Sequence, residues 1–129
     1  MFWDGRLHVD KSKGIFNSPS KELNSNYIIK SQFNNALAVQ AIFPLLSSAE
    51  MLGKDSELAQ TKGDFAKWNK LIDRLLKGKN KNLYNSLFQK AYPTDFAKEE
   101  INISHIGNAL AAFMTHQFNL VDTPYDAYL

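Results

Sequence analysis

The chain has 129 residues, of which 44% are hydrophobic and 12% aromatic; this composition excludes intrinsic disorder and predicts a single domain. Its net charge of +2 is too mild to indicate a nucleic acid partner, and no basic stripe stands out. There is no cysteine, which excludes disulfides, thiolate zinc sites, a cysteine nucleophile and a c-type haem attached covalently within this chain.

Targeting and membrane-spanning signals are not apparent. The first ten residues, MFWDGRLHVD, lack a basic region followed by an apolar run, so no signal peptide is predicted. No stretch approaches 18 consecutive apolar residues, so no membrane span is predicted either.

The first third of the chain is predicted to be mostly irregular. Residues 1–30 hold scattered glycine, serine and asparagine without a helical period, which predicts a long N-terminal loop. A short amphipathic helix is predicted from Ser31, with Phe33, Leu37 and Ala41 on one face, and Pro44 ends it. In the following SSAEMLG, a serine can cap a single turn that Gly53 closes.

Three stronger helices are predicted further along. The first is bracketed by Gly63 and Gly78, the second runs from about Asn80 until Pro93 stops it, and the third begins near residue 102 or 104. The apolar face of the third helix is predicted to be Ile103, Ile106, Leu110 and Phe113, while its glycine and alanines allow a neighbour to pack closely. The predicted fold is all-α, an irregular small bundle of about five helices over residues 31–129.

A few side chains are candidates for chemistry. Glu50 stands beside the apolar Met51, and a carboxylate among apolar groups can serve as a proton shuttle. Gln40 lies on an otherwise apolar helix, and Trp3 can either anchor a loop or carry an electron. The three histidines are too dispersed in sequence to share a metal ion, so no metal site is predicted.

Four motifs, in order along nearly the whole chain, resemble the bacterial di-haem cytochrome c peroxidases, including the related methylamine-utilisation type. The matching segments are F-W-D-G-R at 2–6, ALAVQAIFPLLSSAEMLG at 36–53, YNSLFQKAYP at 84–93, and the pair formed by 106–113 and 123–129. The family has a glutamine, then a glutamate and a methionine ten residues later, and Gln40, Glu50 and Met51 match this spacing.

The resemblance implies roles for individual residues. Glu50 would be the acid–base group that helps to split hydrogen peroxide, Gln40 would lie near the same pocket, and Trp3 would lie on the electron path between two haems. The implied activity is reduction of hydrogen peroxide to water with electrons from a small c-type cytochrome or similar donor in the periplasm. Haem c would be the cofactor of the parent enzyme.

The sequence also departs from the family pattern. Family members attach each haem through C-x-x-C-H, before F-W-D-G-R and after the last motif, and this chain has no cysteine. We therefore expect residues 1–129 to be the segment between the two haem sites, either a fragment or a single domain, and inactive alone. Apolar patches around Trp3 and Glu50 would then favour self-association.

Two alternatives stay open at this point. The chain could be a haem-less helical domain that descended from such an enzyme and serves binding or assembly. It could also bind haem non-covalently through His105 or His116.

Overall fold

A computed structural model of the chain describes Gly5 and residues 7–10 and 15–118. Within these residues it has seven α-helices, one 3-10 helix and a two-stranded sheet, so the all-α prediction is confirmed, with more helices than expected. The strands are β1 (His8–Asp10) and β2 (Ile15–Asn17). The helices are α1 (Lys21–Ser25), α2 (Tyr27–Ser31), α3 (Ala36–Ala41), the 3-10 helix (Phe43–Leu46), α4 (Asp64–Lys77), α5 (Lys81–Ala91), α6 (Pro93–Ala97) and α7 (Ile103–Phe118).

The prediction of a long N-terminal loop over residues 1–30 is wrong for the part of this range that the structure describes. Strands β1 and β2 form an antiparallel hairpin with Val9 opposite Phe16, and α1 and α2 follow it. Serine and asparagine, taken as loop residues, instead cap these short helices: the Ser20 hydroxyl accepts from Leu23 N–H, and the Asn26 side chain accepts from Ile29 N–H. Such capping residues look the same as loop residues in sequence.

The next predicted helix begins later than expected. Ser31 ends α2, and Asn35 is the N-cap of α3, its side chain accepting from Ala38 N–H at 2.9 Å. Pro44 lies inside the 3-10 helix rather than directly after α3. The helix packs through Ala38 and Val39, which are buried, whereas the predicted face residues Leu37 and Ala41 are half-buried.

Helices α4 and α5 are confirmed close to their predicted bounds, and α4 supplies the centre of the core. Trp68 is fully buried, its indole N–H donates to the Ile42 carbonyl at 3.2 Å, and its ring is edge-on to both Phe43 and Phe65. This one side chain therefore joins α4 to the segment that carries the residues predicted to be functional. Pro93 begins α6, where a proline is tolerated because the first N–H of a helix has no intrahelical partner.

Within the described residues, helices α3 and α7 pack against each other more extensively than any other pair of helices. A Cβ added to Gly107 would lie 2.5 Å from the Ala38 carbonyl oxygen, so the two backbones approach as the small residues of α7 predicted. The predicted apolar face of α7 is only half right. Ile103 and Ile106 are buried, but Leu110 and Phe113 are 41% and 56% exposed, because the described residues cover α7 over positions 103–108 and, beyond these, bury only Ala111.

Candidate functional site

Glu50 lies in the turn that follows the 3-10 helix. Its N–H donates to the Ser47 carbonyl and the Met51 N–H donates to the Pro44 carbonyl, both at 3.1 Å. The chain thus reverses its direction without forming a helix. Gly53, which follows this turn, has a φ of +65°, a left-handed conformation that glycine adopts readily. Glu50 is exposed and Met51 is 67% exposed, so the described residues do not hold this carboxylate among apolar groups.

The Glu50 turn forms one side of an open cleft of about 680 Å³, which we call the Glu50 cleft. It combines apolar side chains, three serines and two carboxylates. Its lining residues are Pro19, Ser20, Phe43, Leu46, Ser47, Ser48, Ala49, Glu50 and Asp64. The cleft therefore offers an apolar wall together with groups that can accept or donate protons, which suits acid–base chemistry on a small substrate.

Asp64 is the second carboxylate of the cleft, and sequence reasoning missed it. The Ser20 hydroxyl donates to Asp64 Oδ2 at 2.6 Å and accepts from Leu23 N–H at 3.1 Å. Ser20 is 2% exposed, so its hydroxyl is fixed by both bonds. Asp64 also opens α4, where the helix dipole favours a negative charge. The serine and the aspartate are 44 residues apart, and no local pattern links them.

A second long-range contact holds the N-terminal end of α4 in place. Glu22 of α1 accepts from Phe65 N–H at 3.0 Å, a group that has no intrahelical acceptor at the start of α4. Helix α1 thus caps α4 from outside, since Gly63 offers no side chain for this purpose. The two carboxylates, Glu22 and Asp64, hold α1 against α4 and so fix one edge of the Glu50 cleft.

Gln40 does not line the Glu50 cleft. It sits on α3, half-buried, and its Oε1 is buried without a hydrogen-bond partner among the described residues. The structure therefore does not bring Gln40 and Glu50 to one cleft within the described part of the chain.

Trp3 and most of the F-W-D-G-R segment lie outside the described residues, as does the motif at 123–129. Gly5 is described and adopts a φ of +70°, a left-handed conformation that glycine accepts at little cost. The predicted electron-transfer role of Trp3 remains a prediction.

The histidines are placed differently from expectation. His105 was expected to be exposed or half-buried, but it is 4% exposed. Its Nδ1 accepts from Asn102 N–H at 3.1 Å, so the proton is on Nε2, which donates to Asp95 Oδ2 at 3.1 Å. Tyr92 packs edge-on against the ring, with centroids 4.7 Å apart. Both nitrogens are engaged, and His105 cannot ligate a haem iron without breaking one of these bonds.

His116 is exposed on α7, and Nδ1 of its ring pairs with the neighbouring Gln117 amide at 3.1 Å. Within residues 5, 7–10 and 15–118, no three His, Cys, Asp or Glu side chains are grouped so that they could hold a metal ion.

The shifted pKa values lie away from the Glu50 cleft. Hydrogen bonds from Lys70 and Arg74, each at 2.9 Å, lower the pKa of Glu57, and burial raises the pKa of Tyr92. Burial also lowers the pKa of Lys30. These shifts accompany surface ion pairing and packing rather than a catalytic constellation.

Comparison with known proteins provides the family. A family model described as di-haem cytochrome c peroxidase matches residues 1–129. No match is found among the curated proteins or among the solved structures. No helix in the described part of the chain is long and apolar enough to cross a membrane. Since the family model covers the whole sequence, the chain belongs to the di-haem cytochrome c peroxidase family.

Proposed function

We propose that this chain forms the acid–base side of a di-haem peroxidase that reduces hydrogen peroxide to water. The family match over all 129 residues carries the proposal, and the Glu50 cleft supports it. The electrons come from a small c-type cytochrome or a similar donor, and the site of action is the periplasm. Two electrons and two protons convert one hydrogen peroxide into two waters.

The residues of the Glu50 cleft fit the peroxide-facing side of a haem. Phe43 and Leu46 offer an apolar wall, and the exposed Glu50 carboxylate stands at the edge of this wall. Phe43 and Leu46 would lie against a haem bound at this cleft, and that haem would supply the redox chemistry of peroxide reduction. With no cysteine, the chain supplies no thioether attachment of its own.

Glu50 is the proton relay in this proposal. Cleavage of the O–O bond is difficult unless the leaving oxygen receives a proton, because it would otherwise depart as hydroxide. The Glu50 carboxylate accepts a proton from one peroxide oxygen and delivers it to the other, which leaves as water. Such general acid–base catalysis contributes about 10²–10⁴-fold to a rate. Gln40, which lies on α3 outside the lining of the Glu50 cleft, has no step in this relay, and Trp3 lies on the electron path.

The test uses the di-haem enzyme that contains this segment, with Glu50→Gln. We expect peroxide turnover to fall about 10²–10⁴-fold while the haem absorption spectrum and the content of attached haem stay unchanged. Glu100→Gln is the matched control, because Glu100 is an exposed carboxylate that does not line the Glu50 cleft. Equal turnover in the wild type and Glu50→Gln would show that the relay is wrong.

One alternative function is supported by the composition. The lack of cysteine favours a haem-less helical domain that serves binding or assembly. The isolated chain should show no peroxidase turnover after haem addition under either proposal, and robust turnover would contradict both. An association experiment distinguishes the two. A chain that associates with a haem-bearing polypeptide and restores its peroxide turnover supports the peroxidase role, whereas association without any effect on turnover supports the alternative.

A further inference from the structure

A second cleft lies between helices α4, α5 and α6, toward the C-terminal end of α4. It has a volume of about 750 Å³ and shares no lining residue with the Glu50 cleft. We call it the Asn85 cleft, and its lining includes Ile72, Leu76, Asn85, Gln89, Phe96 and Ile101. Clefts of about 300–1,000 Å³ that combine apolar side chains with a few polar groups are the usual sites of small-molecule binding in proteins.

The apolar part of the Asn85 cleft is anchored in the core. Ile72 is 8% exposed and belongs to the core, and the half-buried Leu76, Phe96 and Ile101 pack against it. Because these side chains are held by the core, the apolar surface is already formed before any molecule binds. An apolar group that covers this surface gains free energy from the area that it removes from water.

The polar part of the lining is rich in carboxamides. Asn85 and Gln89 lie one turn apart on α5, Asn69 lies on α4, and none of the three amides hydrogen-bonds to another described residue. The Asn85 Oδ1 atom is buried. Since the terminal torsion of an asparagine side chain is soft, this oxygen can turn toward a donor held in the cleft. An amide both donates and accepts, so these groups suit an uncharged polar group such as a hydroxyl.

The charged side chains of the lining compensate one another. Lys77 donates from Nζ to Asp73 Oδ1 at 2.6 Å. The pKa of Lys77 is raised mainly by this hydrogen bond and to a smaller extent by the charge of Glu99, which also lines the cleft. Two carboxylates against one ammonium repel an anion, and a cation would have to compete with Lys77 for both carboxylates. The balance therefore favours an uncharged molecule.

We propose that the Asn85 cleft binds a small uncharged molecule that has an apolar body and a hydroxyl or amide group. The apolar body covers Ile72, Leu76 and Phe96, and the polar group pairs with the amides of Asn85 and Gln89. The proposal depends on the shape and lining of this cleft, and it holds whether or not the chain takes part in peroxide reduction.

The test measures binding of phenethyl alcohol to the full chain, beside phenethyl methyl ether, phenethylamine and phenylacetate at neutral pH. The alcohol and the ether share the apolar body, but only the alcohol has a hydroxyl that donates. We expect the alcohol to bind about two- to tenfold more tightly than the ether, which is the net effect of one hydrogen bond. The charged amine and carboxylate should bind more weakly than the alcohol. Amide resonance shifts should be confined to residues around 69–77 and 85–101.

Two variants with matched controls assign the binding to this cleft. Asn85→Leu removes the amide at nearly constant size, so the alcohol should lose its advantage over the ether, whereas Asn82→Leu changes an exposed asparagine of α5 outside the lining and should keep it. Ala97→Phe places a ring in the cleft and should weaken binding of both molecules at least about tenfold. Ala66→Phe, at an exposed alanine of α4 outside the lining, should not. Circular dichroism verifies that each variant folds.

Several results would overturn the proposal. The cleft has no such ligand if the alcohol shows no saturable binding up to its solubility, or if the resonance shifts fall on other parts of the chain. Equal binding of the alcohol and the ether, or equal effects of Asn85→Leu and Asn82→Leu, would refute the role of the amide. Tighter binding of phenethylamine or phenylacetate than of the alcohol would refute the choice of an uncharged molecule.

Discussion

Gly107→Ala tests the close contact between α3 and α7 most directly. The substitution adds one methyl group where the Ala38 carbonyl oxygen would lie 2.5 Å away, the Phe33 Cε1 atom 2.8 Å away and the Ile42 Cγ2 atom 3.2 Å away. A relaxed carbon–oxygen contact needs about 3.3–3.6 Å, so the two helices must separate by roughly 1 Å locally. The carbonyl belongs to the backbone and cannot rotate aside as a flexible side chain could.

Two opposing free-energy terms set the size of the effect. Alanine is favoured over glycine in a helix interior by about 1 kcal/mol. Overpacking a core position costs about 1–3 kcal/mol, and we take the upper part of this range because a backbone group obstructs the methyl. The net result is destabilisation of about 1–2 kcal/mol, which lowers Tm by about 4–8 °C in a domain of this size.

The measurement is urea unfolding followed by circular dichroism, together with a thermal scan. Ala109→Gly is the control: Ala109 is exposed on the same helix, and this change should cost only the propensity difference of about 1 kcal/mol. Gly107→Ala/Phe33→Leu should recover little, since the carbonyl of Ala38 remains. If Gly107→Ala raises Tm, helix propensity alone decides the outcome and the close α3–α7 contact is refuted.

Three further predictions concern the core, a buried lysine and association. Trp68→Phe should destabilise the fold by about 2–4 kcal/mol, since it leaves the Ile42 carbonyl without its donor and opens a cavity; a loss below 1 kcal/mol in urea unfolding would contradict this. Lys30 is 7% exposed, and burial lowers its pKa. Because the native state therefore releases this proton at a lower pH than the unfolded state, the free energy of unfolding should rise with pH in the window below the ordinary lysine pKa of 10.5. Lys30→Met should therefore stabilise the fold by less than about 1 kcal/mol at pH 7, and this gain should shrink as the pH approaches 10.5; a pH-independent gain would exclude the charge as its cause. We also expect concentration-dependent self-association in sedimentation velocity, reduced by Met51→Ser, and a monomer at all concentrations would contradict it.

The strongest helices and the family follow from signals that lie close together along the chain. Gly63 and Gly78 bracket α4 as predicted, and the apolar period over the next segment predicted α5. Both signals are local, because they depend on neighbouring residues in the sequence and not on tertiary contacts. The family match over residues 1–129 is likewise a property of the sequence alone.

Which side chains contact each other depends on how the helices pack. The apolar period of α7 predicted Leu110 and Phe113 in the core, but the described residues cover α7 mainly over positions 103–108, and both side chains are exposed. Periodicity reports how often apolar residues recur and not which side a neighbour covers. The Glu50 cleft shows the same limit. Ser20 and Asp64 meet across 44 residues, whereas Gln40 and Glu50, only ten residues apart, are not brought to one cleft. Backbone approach and long-range pairing depend on the packed whole, so no local pattern could specify them.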